Sequence, residues 1–203
     1  MDAKIAEQSV HRNAEDRPTR PRERILVAAR ELFARHGVHG VGVEAIAEHA
    51  GTNKMTLYRH FESKDLLVAE YLRGLAAEGA AVWGEIEAAH PADPLAQINA
   101  WLCRIANHAE HGNESGCALA SAAVQITDAS HPGRRVIEDN TRQHRDNLIR
   151  LCRNSGLSEP ELLADQLFLL VEGSRVTWQH AGEDRPGADL ATLAAGIIAS
   201  HRR

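Results

Sequence analysis

The stretch AIAEHAGTNKMTLYRHF, Ala45–Phe61, sets two short helical patterns on either side of Gly51. Val43, Ile46, Ala47 and Ala50 recur at helical spacing before the glycine, and Leu57 and Phe61 stand one turn apart after it. Asn53 is placed to cap the second helix with its side chain. Lys54, Thr56, Tyr58, Arg59 and His60 then fall on an outward side rich in hydrogen-bond donors. A helix, a glycine-bearing turn and a second helix with one buried and one polar side is how many proteins enter the major groove of DNA. Lys54 and Thr56 lie near the start of the second helix, where base-edge contacts begin, while Tyr58, Arg59, His60 and Lys64 can reach phosphates. A plain helical hairpin with a wet polar face has the same spacing, so spacing alone leaves both readings open.

Outward from this stretch the helical period continues. Upstream, PRERILVAARELFARHG places Ile25, Ala28, Ala29, Leu32 and Phe33 on one face, with Gly37 as the stop. Downstream, Ser63 is a cap for a long helix from Lys64 to about Ala89, with Asp65 favourably placed in its first turn. Residues 21–63 are expected to form one small module whose core includes Phe33, Ile46, Ala47, Leu57 and Phe61. A module of roughly 50 residues has little core of its own. Residues 1–20 are polar with no sustained apolar stripe and are expected to be a flexible arm.

Beyond HPADP, residues 90–94, helical patterns cover about 95–111, 115–127, 133–153, 159–181 and 187–201. The breaks HGNESG, DASHPG, NSGLSEP and GEDRPG are rich in glycine, proline or polar residues. Nothing alternates with a period of two, so the fold class is all-α. A net charge of −5 over 203 residues speaks against nucleic acid until its distribution is read. Residues 17–73 hold ten Lys or Arg against seven Asp or Glu, and residues 74–203 hold eleven against seventeen. A basic front with an acidic remainder fits a polyanion-binding module joined to a body with another task. No charged start leads into an apolar run, so neither a signal peptide nor a membrane span is expected. Cys103, Cys117 and Cys152 lack CxxC spacing, which fits a reducing cytoplasm.

The segment ILVAARELFARHGVHGVGVEAIAEHAGTNKMTLYRHFESKDLLVAEYL, Ile25–Leu72, resembles the N-terminal domain of the tetracycline-repressor-like (TetR) family of bacterial transcriptional regulators. The resemblance rests on AARELFARHG, IAEHAG, TLYRHF and SKDLL at their joint spacing. It implies a three-helix helix-turn-helix domain followed by a helical ligand-binding and dimerisation domain over residues 64–203. It implies no enzyme activity and no cofactor. The function implied is a homodimeric repressor of double-stranded, palindromic operator DNA, released by a small-molecule inducer; the pocket candidates below suggest an apolar or aromatic one. Carried onto this chain, Lys54, Met55 and Thr56 face the operator bases, and Tyr58, His60 and Lys64 hold phosphates. Leu57 and Phe61 take core positions, and Ala47 and Gly51 the helix packing and the turn. Two positions depart from the pattern. Gly42 stands where a hydroxyl residue commonly caps the second helix and touches phosphate, and Thr52 stands where a small aliphatic is common in the turn.

The acidic body offers fewer fixed points. ELLADQLFLLVEGSRVTW and LATLAAGIIAS hold more apolar residues than one stripe requires, and Leu163, Leu167, Leu170, Leu193 and Ile197 are the expected dimer contacts. Small residues Gly173, Ala194 and Gly196 would allow close approach. Completion of the monomer's own core is the other reading. Trp101, His108, Cys117, Gln125, His144 and Trp178, with Trp83, mix apolar surface and isolated polar groups as a ligand pocket does. Cys117 in NESGCALASAA can be packing, pocket lining or a reactive thiol. HAEHGNESGC matches no tight metal-ligand signature, so no metal site is expected. Glu172 and Arg175 are spaced to pair along a helix. No phosphate loop, nucleophile elbow or placed acid–base pair is found, so no catalytic residue is expected.

Overall fold

The computed structural model describes residues 20–111, 118–178 and 189–202, the side chains of 108–111 and 178 excepted. The arm expected over residues 1–20 lies outside these except for Arg20, as do most of HGNESG and all of GEDRPG. The described residues hold nine helices and no strand: α1 Pro21–His36, α2 Val43–His49, α3 Lys54–His60, α4 Lys64–Ala89, α5 Pro94–His111, α6 Ala118–Gln125, α7 Pro132–Asn154, α8 Pro160–Trp178 and α9 Leu190–Ser200. Pro94, Pro132 and Pro160 each open a helix, where the missing N–H costs no hydrogen bond. Helix α6 stops two residues before the expected Thr127. Ile126 turns inward there, and its carbonyl accepts from Arg134 Nη1 at 3.1 Å instead of continuing the helix.

The chain forms two compact units, one ending at Tyr71 and one beginning at Leu72. In the first, Ile25, Ala28, Ala29 and Phe33 of α1 are buried together with Val43, Ile46 and Ala47 of α2, and with Leu57 and Phe61. Val38 and Val41 are buried in the connection between α1 and α2. Gly40 is needed in that connection, because a Cβ there would stand 2.3 Å from the His36 carbonyl oxygen. The unit continues past Ser63, the boundary expected from the sequence, into the first turns of α4. Leu67, Val68 and Tyr71 are buried, the Tyr71 and Phe33 rings meet at 5.3 Å, and Arg22 pairs with Glu70 at 2.7 Å.

The core of the second unit joins Ile98, Trp101 and Leu102 of α5, Leu148, Leu151 and Cys152 of α7, Leu163, Leu167 and Val171 of α8, and Leu190, Ala194 and Ile198 of α9. Burial pushes the Cys152 thiol up to about 11, so it stays protonated and packs as a small apolar group. Asp189 caps α9 by accepting from the Thr192 N–H at 2.9 Å. Just past α9 the His201 carbonyl accepts from the Ser158 N–H and hydroxyl, at 2.9 and 3.0 Å. The buried His201 ring lies 2.9 Å from both the Ser158 carbonyl and Gln166 Oε1, fastening α9 to the start of α8.

Candidate functional site

The turn between α2 and α3 is closed by backbone alone. The Thr52 N–H donates to Ala47 O at 2.9 Å and the Gly51 N–H to Glu48 O at 3.0 Å, the pair of bonds that ends a helix in a left-handed residue. Gly51 is that residue, at φ 62°, a conformation that side-chain-bearing residues rarely adopt. Asn53 Oδ1 then accepts from the Thr56 N–H at 2.9 Å and starts α3. At the other end of α2, Gly42 offers no side-chain cap, as its identity requires.

Helix α3 sorts its side chains sharply. Leu57 is 0% exposed and Phe61 just beyond is buried, whereas Met55 is 76% exposed. Lys54, Tyr58, Arg59 and His60 are exposed, and Thr56 and Lys64 are half-buried. Lys54 Nζ lies 2.6 Å from Glu44 Oε1 and 5.9 Å from the Tyr58 ring centroid. The hydrogen bond from Lys54 holds the Glu44 carboxyl below its ordinary value, and the same bond from Glu44 holds the Lys54 ammonium above its own. Both groups are therefore charged at neutral pH. Arg22 places its guanidinium 5.1 Å from the Phe61 ring centroid, covering the end of α3. No motif or period in the sequence singles out Glu44. The turn brings the first turns of α2 and α3 near each other, and with them positions 44 and 54.

In the second unit three of the aromatic candidates converge. Trp83 and Trp101 stack at 5.3 Å between centroids with 21° between planes, and Trp83 Nε1–H donates to His144 Nδ1 at 3.3 Å. Accepting at Nδ1 leaves the His144 proton on Nε2, a neutral imidazole. Burial lowers the His144 pKa, and the positive charge of Arg175 lowers it further. Arg175 itself pairs with Glu172 at 2.6 Å, at the spacing read from the sequence. Gln125, half-buried on α6, donates to Ser121 Oγ at 3.0 Å. His108, Cys117 and Trp178 have side chains outside the described residues. A groove of about 390 Å³ is lined by Asp146, Ile149, Arg150, Arg153, Asn154 and Glu161 and involves none of the pocket candidates. Among the described residues no group of three His, Cys, Asp or Glu is placed to hold a metal ion.

The expected dimer contacts divide. Leu163 and Leu167 are 0% exposed within their own chain, so they are core positions with no surface to offer a second copy. Leu170 and Ile197 are half-buried and Leu193 is exposed. The outward apolar line on α8 runs instead through Leu162, Leu169 and Val176, with Leu169 68% exposed. These residues are spaced by seven, which keeps them on one side of a helix. Gly173 between them and Gly196 on α9 have open space where a Cβ would stand. Ala194, by contrast, is buried in its own chain.

Residues 25–71 match the family model of bacterial regulatory proteins, tetR family. The HTH-type transcriptional repressor KstR2 of Mycobacterium tuberculosis is 28% identical over 179 residues, 86% of each chain. A TetR-type transcriptional regulator of Streptomyces avermitilis superposes with a TM-score of 0.77 at 29% identity, covering 90% of this chain and 98% of that one. SCO4454, a TetR-family regulator of Streptomyces coelicolor, has the same fold, with a TM-score of 0.80 at 23% identity over 90% of this chain and 96% of its own. Among the described residues no helix is long and apolar enough to cross a membrane. The matched helix-turn-helix, the KstR2 likeness along most of the chain and the shared all-helical architecture agree: the chain is a transcriptional regulator, not an enzyme, and it is similar to the regulators of the TetR family.

Proposed function

We propose that the protein is a cytoplasmic, homodimeric repressor that binds a palindromic operator and is released by a small apolar or aromatic molecule. The observation that carries this reading is the division of α3, with Leu57 and Phe61 inside and Lys54, Met55, Tyr58, Arg59 and His60 outside. Lys54, Met55 and Thr56 read bases; Tyr58, Arg59, His60 and Lys64 hold phosphates. Repression is the polarity in the name of KstR2, and we carry it to this chain by similarity.

Two identical heads are needed because a palindrome presents two half-sites separated by helical turns. The exposed residues Leu162, Leu169, Val176 and Leu193, beside half-buried Leu170 and Ile197, supply an apolar surface for pairing, and Gly173 and Gly196 let helices approach closely. The inducer site is built around Trp83, Trp101 and His144, where stacked indoles offer a flat apolar wall and the imidazole a single polar handle. Helix α4 is continuous from Lys64 to Ala89 and crosses from one unit into the next, so it can pass a ligand's bias between body and head. Release requires the inducer to bind the DNA-free arrangement more tightly, since equal affinities shift nothing.

Selection of bound duplexes from a random pool tests the reading. A shared two-fold symmetric site supports it, together with a mobility shift on that site that weakens steeply with salt. Enrichment of no common site overturns it.

A further inference from the structure

We propose that Glu44 and Lys54 act as one reading pair that selects a G·C base pair in each half-site. The inference rests on α3 being the operator-reading helix. Its starting point is that the base-facing lysine is not a free cation: Lys54 Nζ is bonded to Glu44 Oε1 at 2.6 Å, on the exposed surface shared by α2 and α3. Lys54 Nζ also lies within 5.9 Å of the Tyr58 ring centroid, so Glu44, Lys54 and Tyr58 make one contiguous patch.

An exposed ion pair adds little to fold stability. A carboxylate on a DNA-facing surface also opposes binding to phosphate of any sequence. What it can contribute is discrimination. In the major groove guanine presents the acceptors N7 and O6, and its partner cytosine presents the N4 amino donor beside them. A lysine ammonium satisfies guanine, and an adjacent carboxylate accepts from cytosine. The ammonium has three donors, so it can keep its bond to Glu44 while using the other two on guanine. A·T and C·G put a donor against Lys54 and an acceptor against Glu44, whereas T·A keeps one acceptor and one donor in place but sets the thymine methyl where guanine N7 stands. Glu44 thus acts both on DNA and by holding Lys54 in place. Its carboxyl is kept ionised by the lysine, so the pair stays charged at neutral pH.

The test compares wild type, Glu44→Ala, Glu44→Asp, Lys54→Ala and the double alanine variant. Each is titrated against the duplex selected by wild type, against versions with each position substituted, and against a scrambled duplex. Both positions are exposed, and circular dichroism melts verify that the variants fold. Wild type should show one G·C position per half-site at which A·T and C·G cost about tenfold or more and T·A costs less. Discrimination there should fall to about twofold in Glu44→Ala and in Lys54→Ala, and the double variant should lose no more than either single change. Glu44→Asp should keep the preference in part. Glu44→Ala should also bind the scrambled duplex more tightly than wild type, which a purely structural role at the start of α2 would not produce. An unchanged base profile in folded Glu44→Ala overturns the inference and leaves operator binding standing. Failure of wild type to select any common duplex overturns both.

Discussion

Helices α3 and α8 both turn leucine inward, yet their outer faces differ. In α3 Leu57 turns inward, while Met55 and Tyr58 stay exposed beside the polar residues of the outer side. In α8 two apolar faces coexist, Leu163, Leu167 and Val171 within the core and Leu162, Leu169 and Val176 outside it. The first helix is completed by its own chain and waits for a polar, charged partner. The second is half completed, and its outer face is suited to an apolar one.

The comparison can be broken most decisively at Leu57. Leu57→Ala should remove about 2–5 kcal/mol from a small unit and abolish operator binding in mobility shifts. Binding near wild-type strength would show that α3 is not anchored by its inner face.

On α8 the two faces should respond differently. Leu163→Ala should cost about 2–5 kcal/mol of stability, read by thermal melts, as a core deletion does. Leu169→Glu combined with Leu193→Glu should leave the melt of the folded chain nearly unchanged but yield a monomer in sedimentation. Operator affinity should then fall at least tenfold, because one head reads one half-site. A dimer that survives both charges would move the pairing surface elsewhere.

The reach of the sequence follows the same division. The turn, the Asn53 cap, the inward Leu57 and Phe61 and the uncapped Gly42 were all legible, because each depends on neighbours within a few residues. Leu163 and Leu167 were expected at a dimer contact and are core. Composition shows that α8 has too many leucines for one stripe, but only the packing of α5, α7 and α9 decides which stripe is inside. The Trp83–His144 bond joins residues 61 positions apart, beyond the reach of any local pattern. The Glu44–Lys54 pair spans only ten positions, yet it depends on a turn geometry that periodicity does not encode.

Smaller effects sharpen the reading of the outer side of α3. Tyr58→Phe and Lys64→Ala should weaken operator and scrambled duplexes by similar factors, with the lysine change lowering the salt slope by about 1. Thr56→Ala should instead change which bases are preferred. Equal losses on both DNAs for Thr56→Ala would show that positioning and reading are not divided as proposed.

The smallest expected effect concerns pH in the body. The His144 pKa is lowered from 6.5 in the folded state by burial and then by Arg175, so the unfolded chain binds its proton more readily. The stability held by the neutral imidazole is complete above about pH 6.5 and is lost as pH falls toward the folded value. His144→Gln should flatten that acid-side decline in melts taken between neutral and mildly acidic buffer. A slope identical to wild type would assign the decline to other groups.

The aromatic residues are partitioned in a way that makes the protein its own optical instrument. Both tyrosines, Tyr58 and Tyr71, belong to the first unit, and all three tryptophans, Trp83, Trp101 and Trp178, belong to the second. Light absorbed at the red edge of the indole band therefore excites the body alone. The stacked Trp83–Trp101 pair, one member sharing its N–H with an imidazole, is a chromophore whose emission should change when anything slides between or beside the rings. Compounds can then be screened on the unlabelled wild-type chain, without knowledge of the operator, by watching the colour and intensity of its ultraviolet glow.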